Sequence, residues 1–127
     1  MTVGFSTTNL VNNWLNMLRA VAFTAPTGVY GQLHIGDPGA SGTANTSALT
    51  TRSAVTFSAA SGGAIALSNT PSFTMTATET ITHVSYWDAA TSGNFLWSAA
   101  LTTSKSVSAT DVLQLTSVGV ALTPLAA

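Results

Sequence analysis

Cysteine is absent from all 127 residues, which excludes a disulfide framework, a thiolate nucleophile and any cysteine metal site. Charge is nearly absent too. Arg19, Arg52 and Lys105 stand against Asp37, Glu79, Asp88 and Asp111, 6% of the chain, where a typical soluble domain carries about 25%. With a net charge of −1 and no cluster of Lys or Arg, no nucleic-acid partner is expected, because neutralising phosphates needs several clustered cations. A polybasic membrane contact is excluded for the same reason. No apolar run reaches the length of a membrane-spanning helix, so no membrane partner is expected. Met1-Thr2-Val3-Gly4 carries no basic residue, and Asn12, Asn13, Asn16 and Arg19 interrupt the first apolar stretch. A secretory signal peptide is therefore not expected.

What fills the space is hydroxyl and hydrocarbon. The chain has 22 Thr and 15 Ser, 46% hydrophobic residues and a mean hydropathy of +0.39. Disordered chains combine low hydrophobicity with high net charge, so this one folds. Its length predicts one domain over 1–127. A small free monomer stays soluble through mixed charges and a net charge away from zero. This chain has neither, which suits a protein docked among copies of itself or on a larger particle. The blander alternative is a Ser/Thr-rich extracellular β-domain.

Along the chain the periodicity changes once. Ser6, Thr7, Thr8 and Asn9 are candidate helix N-caps. Leu10, Trp14, Leu15, Leu18 and Val21 then make the apolar stripe of an amphipathic helix. Arg19 suits the C-terminal end of its dipole, and Pro26 and Gly28 close the segment. The spacing predicts a helix over about 8–22. From Gly28 the period is two, over a β-region of about 28–123. Val29, Gly31, Leu33 and Ile35 share one face, with Tyr30, Gln32 and His34 opposite. Asp37-Pro38-Gly39 is a turn, and 39–51 reads as a long exposed loop of the functional or mobile kind. In 80–87, Val84 and Tyr86 oppose Ile81, His83 and Trp87. Seven to nine short strands with regular turns predict a mainly β fold: an antiparallel sandwich or jelly-roll-like barrel with one N-terminal α-helix.

Candidate chemistry is sparse. His34 and His83, with Asp37 or Asp88, are the conceivable metal ligands, but no third ligand has convincing spacing. Two half-buried histidines bonded to hydroxyls is the plainer reading, and no metal is expected. No G-x-S-x-G elbow exposes a serine nucleophile. Asp37, Glu79, Asp88 and Asp111 fall at predicted turns or strand ends, where carboxylates usually face water. No phosphate-binding glycine motif occurs, and Gly62-Gly63 is a hairpin turn. No catalytic residue and no cofactor is expected. Trp14, Tyr86, Trp87 and Trp97 are core or interface residues in the first instance. A carbohydrate-binding β-sandwich module using Tyr86, Trp87 or Trp97 is the second reading.

One pattern runs through nearly the whole chain in order. It comprises GVYGQLHIGDP at 28–38, RSAVTF at 52–57, ITHVSYWDA at 81–89, GNFLW at 93–97, ALTTSKSV at 100–107 and Asp111-Val112-Leu113 behind it. Together these resemble a family of small bacteriophage virion proteins of the tail fibre, minor structural or capsid decoration type. The resemblance implies a non-enzymatic structural subunit in the virion, on the capsid surface or in the tail apparatus. It implies partners among copies of itself and other virion proteins, and a trimer as the oligomer. The helix stripe is broader than one small sheet needs, which makes Leu10, Trp14 and Leu18 the candidate interface residues.

Overall fold

The computed structural model describes residues 3–123, so the single-domain expectation over 1–127 runs past it at both ends. Met1 and Thr2, at the head of the signal-peptide reading, lie outside the described residues. Within that span the strands are β1 (Gly4–Phe5), β2 (Val29–His34), β3 (Ser53–Val55), β4 (Ala64–Ala66), β5 (Ser72–Thr74), β6 (Glu79–Trp87), β7 (Phe95–Val107), β8 (Val112–Gln114) and β9 (Gly119–Ala121). One sheet has the order β1-β7-β6-β2-β3, and the pairs β4-β9 and β5-β8 form two-stranded ribbons. Every pairing is antiparallel. The fold is the mainly β, antiparallel arrangement that the period-two patterning predicts, consistent with a sandwich.

The core follows from that alternation. Leu33, Val84, Tyr86 and Trp97 from the large sheet join Phe73, Met75, Leu115 and Val118 from the ribbon side in one buried cluster. Phe73 lies over Gly31, where an added Cβ would sit 3.7 Å from its ring. Tyr86 and Trp97, cross-strand neighbours, stack with centroids 4.4 Å apart. Such aromatic pairs contribute about 0.5–1.5 kcal/mol beyond their buried area. At the outer edge of β3 one side chain takes up two backbone groups, next to the Ser68 N–H that bonds the Thr56 carbonyl. Asn69 accepts from the Thr56 N–H at 3.0 Å and donates to the Ala54 carbonyl at 2.9 Å, standing in for a neighbouring strand.

The helical segment is shorter than 8–22. Ser6 caps it, its Oγ accepting from the Asn9 N–H at 3.2 Å. A π-helical turn, Thr7–Val11, leads into an α-helix, Asn12–Asn16, and a 3-10 turn, Met17–Arg19. Ala20 then adopts φ 60°, ψ 29°. The Val21 N–H reaches the Asn16 carbonyl and the Ala20 N–H reaches that of Met17, the paired bonds of a Schellman stop. Alanine occupies the left-handed position that glycine usually fills, so nothing in the composition marks the end. Val21 lies beyond the helix.

The loop 39–51 is mostly exposed, as expected, but its backbone is tied to the body of the fold. Thr46 bridges to His34, the Ile35 N–H bonds to the Asn45 carbonyl at 2.9 Å, and the Ser47 N–H to that of Leu33 at 3.1 Å. Gly42, at φ +74°, lies so close to the Phe95 ring that a Cβ there would collide with it. Backbone bonds of this kind need no apolar period, which is why periodicity misses them. The carboxylates also depart from expectation. Each engages a hydrogen-bond donor at a turn or loop instead of simply facing water. Asp37 accepts from the Gly39 N–H, Asp88 from the Asn94 N–H and side-chain amide, and Asp111 from the Ser108 N–H. Glu79 accepts from the Ser47 hydroxyl and the Ala48 N–H.

Behind the loop runs a buried polar chain. His34 Nδ1 lies 2.8 Å from the Ala44 carbonyl, and Nε2 lies 2.7 Å from Ser85 Oγ. A carbonyl only accepts, so Nδ1 carries the proton and Nε2 accepts from the serine hydroxyl. Ser85 Oγ in turn accepts from the Trp87 indole N–H at 2.8 Å. His34 is completely buried, not half-buried as expected. Burial holds its pKa below the usual histidine value, the Ala44 bond opposes this, and His83 across the strand pair adds to the depression. Arg52 covers the far end, its guanidinium 4.0 Å from the Trp87 ring. It donates to Gln32 Oε1 at 3.0 Å and to the carbonyls of Ala89 and Ser92 at 2.8 and 2.6 Å.

These details set two expectations. Ala20→Gly should stabilise the fold by about 1 kcal/mol, since a left-handed alanine is strained and glycine is not; urea denaturation checks it. His34 binds its proton less readily in the folded state than when unfolded. Its contribution is therefore complete above about pH 6.5 and is lost as pH falls from there through the depressed folded value. The melting temperature should drop on acidification, and His34→Gln should flatten that part of the profile while lowering stability at neutral pH. A wild-type profile indistinguishable in shape from the variant's would refute the assignment.

Candidate functional site

The residues expected at an interface separate in the structure. Leu10 is 6% exposed and belongs to the core cluster, so it is not available as an outward contact. The helix start turns it inward, because Asn9 is tied to the Phe95 carbonyl and Ser6 to that of Leu96. Trp14 is half-buried, packed against the core and edge-on to Phe5 at 5.5 Å. Leu18 is 86% exposed. Leu15, Met17 and Val21 join it, each about half exposed, with Phe5 at 40%. Leu15 and Leu18 are i, i+3 neighbours, and Trp14 and Leu18 are i, i+4. Leu15 and Leu18 thus make an exposed apolar pair on the last turns of the helical segment, with Met17 and Val21 exposed nearby in sequence and Arg19 the one charge there.

A second feature is a groove of about 340 Å³ between β6–β7 and the β8–β9 connection. Val84, Tyr86 and Trp97, all deeply buried, form its floor. Thr102, Thr103, Lys105, Gln114, Thr116 and Ser117 are its exposed rim. β7 bulges here, since Ile81 pairs with Lys105 while His83 pairs with Ala100. Bulges of this kind redirect side chains at the margin of a sheet.

The candidate ligands and rings are placed differently from a metal site or an open stacking platform. His34 and His83 are brought opposite each other, but both nitrogens of His34 are committed. His83 Nδ1 lies 2.8 Å from Thr82 Oγ1. Among the described residues, no three His, Asp or Glu converge. Ser85 and His34 have the spacing of a nucleophile and its base, yet both are fully buried and the serine oxygen is held by an indole. No substrate reaches them. Tyr86, Trp87 and Trp97 are 3%, 7% and 8% exposed, so they offer no open aromatic face.

Arg52 is the residue that sequence reasoning missed. Its signal was its isolation: the one cation between Arg19 and Lys105, with no carboxylate within ten residues of it in the sequence. Desolvation lowers its pKa while Asp88 opposes the shift, and the stacked guanidinium holds the 88–94 loop against Trp87.

The family profile described as Podophage GP4 fiber I protein gp80 matches residues 4–123, from β1 through the segment after β9. Among curated proteins, none matches the chain. The matched span takes in the helical segment, the clamped loop, the β6–β7 hairpin and the groove. The chain belongs to the Podophage GP4 fiber I protein gp80 family, phage fibre structural proteins of the virion particle.

Proposed function

We propose that the chain is a non-enzymatic fibre subunit that works by self-association, with other virion proteins as further partners. The observation that carries this reading is the exposed apolar pair on the helical segment. Leu18 at 86% exposure, with its i−3 neighbour Leu15 at 58% and the half-buried Trp14 one turn back, is exposed apolar surface of the kind that marks an interaction site. Copies of the chain meet with a net charge of only −1 each, so little repulsion opposes contact. A closed ring covers such a surface without open-ended growth, and a trimer is the specific form proposed, on the phage resemblance. The family description names a fibre, which favours that position over a decorating role on the capsid surface.

Sedimentation velocity over a concentration series tests the proposal. The wild-type protein should associate, and Leu18→Ala should weaken that by about 2 kcal/mol per buried side chain, tenfold or more in the association constant. Leu18 makes no core contact, so circular dichroism of the variant should match wild type. Wild-type protein that stays monomeric throughout, or a variant that assembles equally well, would refute this surface as the contact.

A further inference from the structure

We infer that His34 is an acid-sensitive latch, whose protonation releases the loop segment 39–46 from the sheet while the strands stay paired. This goes beyond the self-association proposal and does not rest on it. The imidazole is completely buried between two separate parts of the fold. Its Nδ1–H holds the loop through the Ala44 carbonyl at 2.8 Å, and its Nε2 accepts from Ser85 on β6 at 2.7 Å. A second proton has to settle on Nε2, the ring nitrogen without one. That nitrogen can then no longer accept, and the Ser85 oxygen it meets already takes the Trp87 indole N–H at 2.8 Å. A buried imidazolium also needs a counter-charge. His83, opposite it on β6, and Arg52, just after the loop, both oppose a positive charge there. Segment 39–51 carries no charge at all. The carboxylates of the adjoining elements bind other donors: Glu79 holds Ser47 and Ala48, Asp37 the Gly39 N–H, and Asp88 the Asn94 amides.

Water reaches the imidazolium at least cost by lifting the loop. In 39–46 only Gly42 is buried, and the segment has no large apolar side chain to withdraw from the core. Its backbone ties to β2 and the residue after it are short: the bridge of Thr46 to His34, and the bonds of Asn45 to Ile35 and Ser47 to Leu33. Parting β2 from β6 instead would break a register of five pairs and open the core around Leu33 and Val84. Segments with few buried apolar contacts open ahead of the whole. Gly39, at φ +76°, and Ser47, bound to Glu79, mark the two ends of the moving piece. The closed loop holds a histidine that binds its proton less readily than the open one. The opening constant is therefore flat above about pH 6.5. It rises by up to about tenfold per pH unit as pH falls from there to the depressed value.

Native-state amide exchange of the full chain, followed by NMR between about pH 7 and 5 with and without dilute urea, tests this. Protection of the Ile35 and Ser47 amides should fall by up to about tenfold per pH unit below about pH 6.5 and be insensitive to urea. Amides of the β6–β7 pair should stay more protected and respond to urea, because they exchange through unfolding of the sheet. His34→Gln should remove the pH dependence at Ile35 and Ser47. His83→Gln, at a half-buried position, takes away a like charge and should make the fall smaller. The inference is overturned if wild-type protection at Ile35 and Ser47 does not change with pH, or if those amides lose it only together with the β6–β7 pair. It is equally overturned if His34→Gln keeps the wild-type pH dependence. Sedimentation at neutral pH decides the self-association proposal independently of this result.

Discussion

The chain of hydrogen bonds from the Trp87 indole through Ser85 and His34 to the Ala44 carbonyl fixes more of this molecule than any other interaction. Each link has one donor and one acceptor with no alternative left over. Breaking one leaves a buried polar group unpaired, at a cost of about 1–3 kcal/mol. At one end the chain anchors the loop after β2. At the other it orients Trp87, on which Arg52 lies and against which Phe95 packs edge-on at 5.6 Å. Two long loops are thereby held to one sheet without a disulfide or a metal.

The same economy appears in the charges. The carboxylates close turns or bind loop donors, and the one inward arginine ties a loop to an aromatic ring. Five of the seven charged residues thus act as internal fasteners. The outer surface has little electric field of its own. Long-range electrostatic steering by this surface is correspondingly weak.

Sequence reasoning recovered what periodicity encodes. The alternation holds for Leu33 paired with Val84 and His34 with His83, but Ile81, expected opposite Val84 and Tyr86, joins their core cluster beside the β6–β7 register shift, and Ile35 lies past the end of β2, half exposed. It recovered the helix start from Ser6 but not its end, because Ala20 takes a left-handed conformation that composition attributes to glycine. It saw no order in 39–51, since bonds such as Ser47 to Leu33 and Asn45 to Ile35 use backbone groups that every residue possesses. Leu10 and Leu18 look alike in a helical stripe. Only the anchoring of Asn9 and Ser6 to the end of β7 decides which turns inward. The groove was illegible for a related reason: it joins residues 84–86, 97–105 and 113–119 across a bulge that has no one-dimensional signature.

The Asn69 side chain on the edge of β3 has a consequence for polymer geometry. A sheet grows into a continuous ribbon when one molecule's last strand pairs with the next molecule's first. Here one of those two ends is already occupied by an amide of the same chain. Head-to-tail extension through the backbone is blocked at that terminus, whatever the opposite edge does. The molecule is a one-ended building block in its sheet direction. Any contact made at that edge falls to side chains, since the backbone groups of Ala54 and Thr56 there are already bonded within the chain.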